Sequence, residues 1–235
     1  MPADPRQTPS ETPSLARLIE QDTQLIQIVD ASLADATRRA GQHLVCRPGC
    51  TQCCYGAFAI SPLDALRLRT AMAAMAADQP AQAAAIAKRA AQYLAEFGPS
   101  FPGDRETGIL GTSPEEEAAF EDFANEAPCP ALDPQSGLCG VYSARPMTCR
   151  VFGPPVRVDE SPEDDTAQGC STDGFAVCEL CFTQASPEEI AAAEMIVPHA
   201  EEQDLLNQLA EVQHSQGSTI IAYCLTLPPA PPQPS

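Results

Sequence analysis

The sequence predicts a mainly α-helical, single-domain fold with an irregular, cysteine-rich centre and little β-structure. Apolar residues recur at helical spacing over several long segments. One helix-start signal, a serine and a proline followed by acidic residues, occurs three times, and strand-like runs are few and short. The 235 residues suit one domain with appendages. The three starts share only their capping chemistry, so they do not indicate an internal repeat.

A first helix is predicted over 14–40. Its apolar face consists of Leu15, Leu18, Ile19, Leu25, Ile26, Val29 and Leu33. Gly41 is expected to end this helix, because glycine favours the backbone conformation that follows a last turn. The acidic residues of the opposite face, among them Asp22 and Asp30, are expected to be solvated.

A second helical region begins at Ser61. A capping serine is followed by Pro62 in the first turn and by Asp64 at the third position, which is a typical helix start. The alanine-rich sequence beyond it predicts a helix over 61–77 and, after a break, another over 80–97.

Similar starts at Ser113 and Ser186 predict further helices, and the second of them opens a helical segment over 186–215. The last helical pattern of this segment follows Pro198 and runs from about 200 to 213. Evidence for strands is slight. The candidate strands are 57–60, 151–152 and 219–225.

Proline-rich tails over 1–13 and 227–235 are expected to be disordered. The domain is therefore predicted to span 14–226, with its cysteine-rich core at 46–181.

The charge balance restricts the partners. Thirteen basic against 32 acidic side chains give a net charge of −19, which argues against binding nucleic acid or an anionic membrane surface. No apolar run is long enough to span a bilayer, and the first residues lack the apolar segment of a secretory signal. We therefore expect a cytoplasmic protein, in a compartment where cysteines bind metal or do redox chemistry more often than they form disulfides.

Ten of the 11 cysteines form three groups, and all ten are predicted metal ligands. They are Cys46, Cys50, Cys53 and Cys54; Cys129, Cys139 and Cys149; and Cys170, Cys178 and Cys181. Closely spaced thiolates let a short loop wrap around one metal, and Pro48-Gly49 supplies a turn for this. Zinc and iron–sulfur clusters both take four such ligands. The predicted cofactor is therefore zinc or an iron–sulfur cluster, and the choice between them stays open.

The cysteines suffice for two four-ligand sites, without indicating which of them share a metal. Cys53 and Cys54 are adjacent, and neighbouring side chains diverge on a helix or a strand. We therefore expect these two to serve different metals or opposite sides of one cluster. The eleventh cysteine, Cys224, lies in an apolar run and is predicted to be a buried, inert thiol.

A minor alternative comes from the spacing of Cys46, Cys50 and Cys53. A C-x3-C-x2-C motif is typical of the radical S-adenosylmethionine enzymes, which bind an iron–sulfur cluster with one open iron. Those enzymes need a large βα barrel, whereas here the motif follows a long helix with few strands anywhere.

The second cysteine group carries the most specific motifs. They are Cys129-x2-Leu132, Cys139-x2-Tyr142, Arg145-Pro146 and Cys149-Arg150. With the cysteine-rich opening, they resemble the bacterial cysteine-cluster family of zinc- or iron-chelating domains, often called the YkgJ family, over about residues 46–152. One departure is the three residues between Cys46 and Cys50, where the family has two.

The resemblance implies metal chelation. The leading hypothesis is therefore a metal-binding protein whose metal is structural or carries electrons. Some members of the family are labelled iron–sulfur oxidoreductases, and flagellin lysine N-methylase is similar, so a second hypothesis is an enzyme that serves redox chemistry or modification of a protein substrate. The alternative is a structural or adaptor protein, held together by its metal, that binds a partner protein without catalysis. No catalytic residue is marked in the sequence.

Arginines stand out beside the cysteines of so acidic a chain. Arg145 and Arg150, with Arg47, are predicted to offset the negative charge of the thiolates and to donate hydrogen bonds to sulfur. The alternative is ion pairing with surface acids. Tyr142 either covers the site or packs, and His43 is expected to be a helix-end residue rather than a spare ligand.

Overall fold

The computed structural model describes residues 14–158, 170–172, 174–213 and 217–226, with only the backbone at 170–172. The two proline-rich tails predicted to be disordered lie outside this part. Within it the chain forms eight α-helices. They are α1 (Leu15–Ala40), α2 (Pro62–Asp78), α3 (Pro80–Phe97), α4 (Pro114–Glu121), α5 (Met147–Val151), α6 (Pro187–Ala192), α7 (His199–Gln213) and α8 (Ile221–Cys224). The mainly α-helical prediction is confirmed.

Seven short strands form three small antiparallel sheets in the described residues. The strands are β1 (Ala59–Ile60), β2 (Gly103–Asp104), β3 (Ile109–Leu110), β4 (Val156–Arg157), β5 (Cys170–Thr172), β6 (Phe175–Val177) and β7 (Thr219–Ile220). β1 pairs with β7, placing Ala59 opposite Ile220, and β2 pairs with β3. The third sheet has the order β4-β6-β5.

The first helix forms where it was predicted. The Ser14 hydroxyl accepts a hydrogen bond from the Arg17 amide and caps α1, and Gly41 ends it at φ +53°, a conformation that glycine adopts without steric cost. Of the predicted apolar face, Leu18, Leu25, Ile26 and Val29 are buried, Ile19 and Leu33 are half-buried, and Leu15 stays 38 % exposed.

All three predicted helix starts are capping boxes, in which the serine side chain and an acidic side chain three residues later each accept from the other's backbone amide. The helical segment over 186–215 consists of two helices, α6 from the Ser186 start and α7 after Pro198, and the helix expected from about 200 to 213 is confirmed. A break before Pro198 is expected, because proline disfavours helical backbone at the residue that precedes it.

The strand predictions are only partly right. The 57–60 candidate contains β1, but 151–152 is wrong, because Val151 is the last residue of α5. The 219–225 candidate forms β7 for two residues and then turns into α8. Strands this short are fixed by pairing with a distant segment, which local sequence does not record.

Two apolar clusters hold the helices together. In the first, Leu18 and Leu25 of α1 pack with Leu205 and Leu209 of α7. The second joins α2, α3 and α8, and its buried members include Leu68, Met72, Ile86 and Leu225. Cys129, Cys139 and Cys149 pack against the second cluster, so the cysteine-rich centre rests directly on the helical core.

A buried ionic network joins three helices. Arg67 of α2 donates to Asp22 of α1 and to Asp64 of its own helix, in each case at 2.5 Å. Asp64 also accepts the backbone amide of Met147, the first residue of α5, at 2.9 Å. The expectation that Asp22 is solvated is therefore wrong: it is 6 % exposed, because its partner arrives from another helix.

No helix of the described ranges has the length and apolarity required to cross a membrane. The sheets of those ranges are small and antiparallel. The described part of the chain therefore contains no parallel βα barrel of the kind that radical S-adenosylmethionine enzymes need.

Replacing Asp64 with alanine should destabilise the domain by about 3 kcal/mol, because the substitution leaves a buried arginine short of one partner and removes a helix cap. Urea unfolding followed by circular dichroism measures the loss. Asp78→Ala, at the exposed end of the same helix, is the control and should change stability by less than about 0.5 kcal/mol. Equal effects of the two variants would contradict the network's role.

Glu202 of α7 should make stability depend on pH. Burial and the nearby charge of Asp64 raise its pKa to about 7, above the ordinary value for glutamate. The folded state therefore holds this proton more tightly than the unfolded state, and stability is lost as the pH rises from about 4.5 through 7. Glu202→Gln should leave stability at pH 4.5 nearly unchanged and raise it at pH 8 by about 1 kcal/mol, after allowance for solvent screening.

Thermal unfolding at the two pH values tests this effect. Glu201→Gln, at the exposed neighbouring position, is the control and should show no such pH dependence. A Glu202→Gln variant that gains as much stability at pH 4.5 as at pH 8 would show that ionisation is not the cause.

Candidate metal centre

Most of the predicted ligands line one cavity of about 460 Å³. The cysteines in its wall are Cys46, Cys50, Cys53, Cys54, Cys129, Cys139 and Cys149. The rest of the lining is largely apolar and includes Phe58, Leu138 and Phe152. The structure thus brings two groups of cysteines, far apart in sequence, to the wall of one cavity.

Two successive turns fold the cysteine-rich opening. The amide of Cys50 donates to the carbonyl of Arg47 at 2.9 Å, with Gly49 at φ +90°. The amide of Cys54 then donates to the carbonyl of Thr51 at 2.8 Å. The turn predicted at Pro48-Gly49 is confirmed, and it returns the chain so that all four cysteines of this segment reach the cavity.

Backbone hydrogen bonds attach the second group to the first. The amide of Cys129 donates to the carbonyl of Cys54 at 2.7 Å. Cys139 then pairs with Leu132 in an antiparallel bridge. These contacts place Cys129 and Cys139 beside Cys54. Cys149 comes from α5, whose first amide is fixed by Asp64.

We call five thiols of this cavity the inner thiols: Cys53, Cys54, Cys129, Cys139 and Cys149. Burial raises the pKa of Cys129 to about 11 and also raises that of Cys139. Burial is likewise the main cause that raises the pKa of Cys149, and the charges of Cys129, Cys53 and Cys139 add to it. Each of these thiols therefore opposes ionisation of its neighbours, which is the condition that a bound cation relieves.

Cys53 differs from the other inner thiols. Its interaction with the neighbouring Cys54 thiol, helped by the charge of Arg145, lowers its pKa to about 6. The same interaction raises the pKa of Cys54. The two residues lie in a tight 3-10 turn, Gln52–Cys54, rather than in a regular helix or strand, and both line the same cavity; that they serve different metals or opposite sides of one cluster stays a prediction.

The third cysteine group lies partly elsewhere. Cys178 lines a neighbouring cavity and Cys181 is 4 % exposed. The backbone of Cys170 lies in β5, and its side chain is outside the described part of the structure. Cys224 is 1 % exposed in the core cluster, and burial raises its pKa to about 11. That environment matches the inert thiol expected at this position.

The predicted arginines occupy different environments. Arg145 and Arg47 line the cavity. The guanidinium of Arg145 stacks on the ring of Tyr142, 4.1 Å from its centre, and its buried Nε has no hydrogen-bond partner among the described residues. Tyr142 lines the cavity and is 56 % exposed, so it lies at the cavity's edge rather than in the core.

Arg150 is not placed in the cavity wall. It is 2 % exposed, pairs with Asp30 and donates to the carbonyls of Ser143 and Arg145. Its donors thus hold the backbone around Arg145. His43 stacks on Phe182 with the ring centres 5.9 Å apart, which agrees with a helix-end residue.

Sequence reasoning missed the contribution of Asp64 to this site. The capping box that contains Asp64 was clear from the sequence. Its hydrogen bond with Met147 of α5 joins residues that are far apart in the sequence, so no local pattern indicates it. The apolar wall was missed as well, because Phe58 and Phe152 belong to no motif. Their contact, with ring centres 5.5 Å apart, is likewise long-range.

Soft thiol donors in this number fit zinc or an iron–sulfur cluster. In the described residues no three Cys, His, Asp or Glu side chains converge as a ready-made set of ligands. A cysteine moves its sulfur by rotating about a single bond. Ligation would thus require these side chains to rotate.

The helical fold and its thiol-lined cavity define a cysteine-rich, metal-chelating class of protein. A family model described as "CxxCxxCC: Putative zinc- or iron-chelating domain" matches residues 45–171. The match spans more than half of the chain, and the chain belongs to this family of zinc- or iron-chelating domains. No curated protein and no solved structure matches this chain.

Alkylation of the metal-free protein at pH 7 should modify Cys53 first. Its pKa of about 6 leaves it mostly thiolate, whereas Cys46, although exposed, has a pKa of about 11. Brief iodoacetamide labelling followed by peptide mass spectrometry measures the order. Urea-unfolded protein is the control, in which the two should react alike. Faster labelling of Cys46 in the folded protein would contradict the lowering of the Cys53 pKa by its neighbours Cys54 and Arg145.

Proposed function

We propose that the chain is a cytoplasmic cysteine-cluster protein that binds zinc or an iron–sulfur cluster through its inner thiols, in the service of redox chemistry or modification of a protein. The observation that carries the proposal is that seven cysteines line one cavity. Membership of a zinc- or iron-chelating family supports the metal.

The inner thiols suit a metal centre because most of them are costly to ionise alone. Ligation requires deprotonated thiols, and a bound cation supplies the positive charge that the burial of Cys129 and Cys149 otherwise lacks. Arg145, with its guanidinium at the cavity, reduces the remaining negative charge. Arg150 supports this role indirectly, since it donates to the carbonyl of Arg145.

The cavity favours a reactive centre over a closed structural one. Its apolar wall of Phe58, Leu138 and Phe152 offers room beside the thiols for a small molecule or a substrate side chain. A bound iron–sulfur cluster would supply electron transfer, while bound zinc would supply Lewis acidity. The apolar wall would exclude water and orient the small molecule or substrate side chain that enters the cavity.

Anaerobic purification followed by metal analysis and an absorption spectrum tests the proposal. A brown protein with a broad band at about 400 nm and about four irons would establish a cluster. Colourless protein with bound zinc would retain the chelating function and overturn electron transfer, leaving zinc-assisted modification of a protein and the structural or adaptor alternative. Protein with neither metal and with all thiols titratable would overturn the proposal.

Cys139→Ser should lower the metal content of the inner thiols by more than about tenfold and reduce the melting temperature, because metal-binding free energy contributes to folding. Metal analysis and thermal unfolding measure the two effects together. Cys224→Ser, also buried but in the helical core, is the matched control and should retain its metal. Equal metal loss in both variants would mean that general unfolding is the cause.

A further inference from the structure

Two predicted ligands, Cys178 and Cys181, lie beyond the residues that the family model matches. The amide of Cys181 donates to the carbonyl of Cys178 at 2.8 Å, which closes a tight turn. Burial raises the pKa of the Cys178 thiol, and the neighbouring thiol of Cys181 adds to this effect. A C-x2-C turn of this kind is a common half of a zinc site.

This turn is fixed against the cysteine-rich opening from two sides. The amide of Phe182 donates to the carbonyl of His43 at 2.8 Å, just before Cys46. On the other side, the side-chain amide of Gln52 donates to the carboxylate of Glu179 at 2.5 Å. The C-x2-C turn therefore faces the loop that carries Cys46 and Cys50.

The facing cysteines lie within electrostatic range of one another. Besides burial, the charges of Cys50, Cys53, Cys181 and Cys178 disfavour ionisation of Cys46, and of these four only Cys53 is an inner thiol. Cys181 and Cys50 act in the same way on Cys178. The main thiol neighbours of Cys129 and Cys149, by contrast, are inner thiols. The structure thus divides the cysteines into two neighbouring groups, and Cys53 lines the cavities of both.

We propose that Cys46, Cys50, Cys178 and Cys181, here called the outer thiols, form a second site that binds one structural zinc ion. Two short turns that each supply two thiolates are typical of closed, four-coordinate zinc sites. Arg47, next to Cys46, offsets part of the negative charge of the four thiolates. The zinc ties the β4-β6-β5 sheet and the start of α6 to the end of α1.

The outer site is separate from the inner centre and should stabilise a different part of the chain. Cys181 belongs to the apolar cluster that includes Ala40, Phe175 and Ile190. A metal bond from this cluster to Cys46 would add a cross-link to the hydrogen bonds that already join these segments, such as those from Phe182 to His43 and from Gln52 to Glu179. The zinc should therefore protect the region 174–192 from local opening.

Native mass spectrometry of the full chain, stripped of metal and reloaded with zinc alone, tests the second site. Wild type should bind one zinc more than the Cys178→Ser/Cys181→Ser variant and one more than Cys46→Ser. Cys46 is exposed, so its replacement should leave the helical circular dichroism signal intact. Hydrogen exchange of 174–192 should become faster in both variants.

The reciprocal variant Cys129→Ser/Cys139→Ser should keep the outer zinc and lose the inner one, and Cys224→Ser should lose neither. Unchanged zinc content in the folded Cys46→Ser protein would overturn the second site and leave the inner centre standing. Loss of all metal from that variant would also overturn it, since it would indicate one shared centre. Wild type that binds no zinc would overturn it as well, and the metal analysis above decides the inner centre separately.

Discussion

The carboxylate of Asp64 joins three helices and, through them, the cysteine-rich centre. It caps α2, pairs with the Arg67 that also binds Asp22, and accepts the amide of Met147. Since α5 begins at that amide and carries Cys149, the place of a candidate ligand depends on a buried charge. The buried charges compensate one another only while the three helices stay together, so the helical core and the centre are expected to lose their structure together.

The thiols, unlike the charges around Asp64, have too little positive charge nearby to compensate their ionised form. The chain carries a net charge of −19, and yet it gathers many ionisable thiols around one cavity in which Arg47 and Arg145 are the basic side chains. Without a cation most of these thiols stay protonated. A bound metal supplies positive charge beside them and so favours their ionised form. Metal content and conformational stability are therefore expected to vary together in this domain.

Local chemistry in the sequence predicted the helices well, because a capping box such as that of Ser61 and Asp64 is complete within four residues. Two-residue strands were missed or misplaced, since pairing between distant segments decides them. Asp22 was taken for a solvated residue because its partner lies on another helix. The motifs identified the candidate ligands, but their division into inner and outer thiols depends on packing between segments, and the interaction between Cys53 and Cys54 depends on a 3-10 turn.

The bond between the amide of Cys129 and the carbonyl of Cys54 has a consequence for biosynthesis. The helices α2, α3 and α4 lie between these two residues in the sequence. A nascent chain therefore exposes the four opening cysteines before Cys129, Cys139 and Cys149 have left the ribosome. Closing so long a loop is entropically costly. The opening cysteines are therefore unprotected against oxidation or a wrong metal during synthesis, and correct loading belongs to the end of translation rather than its beginning.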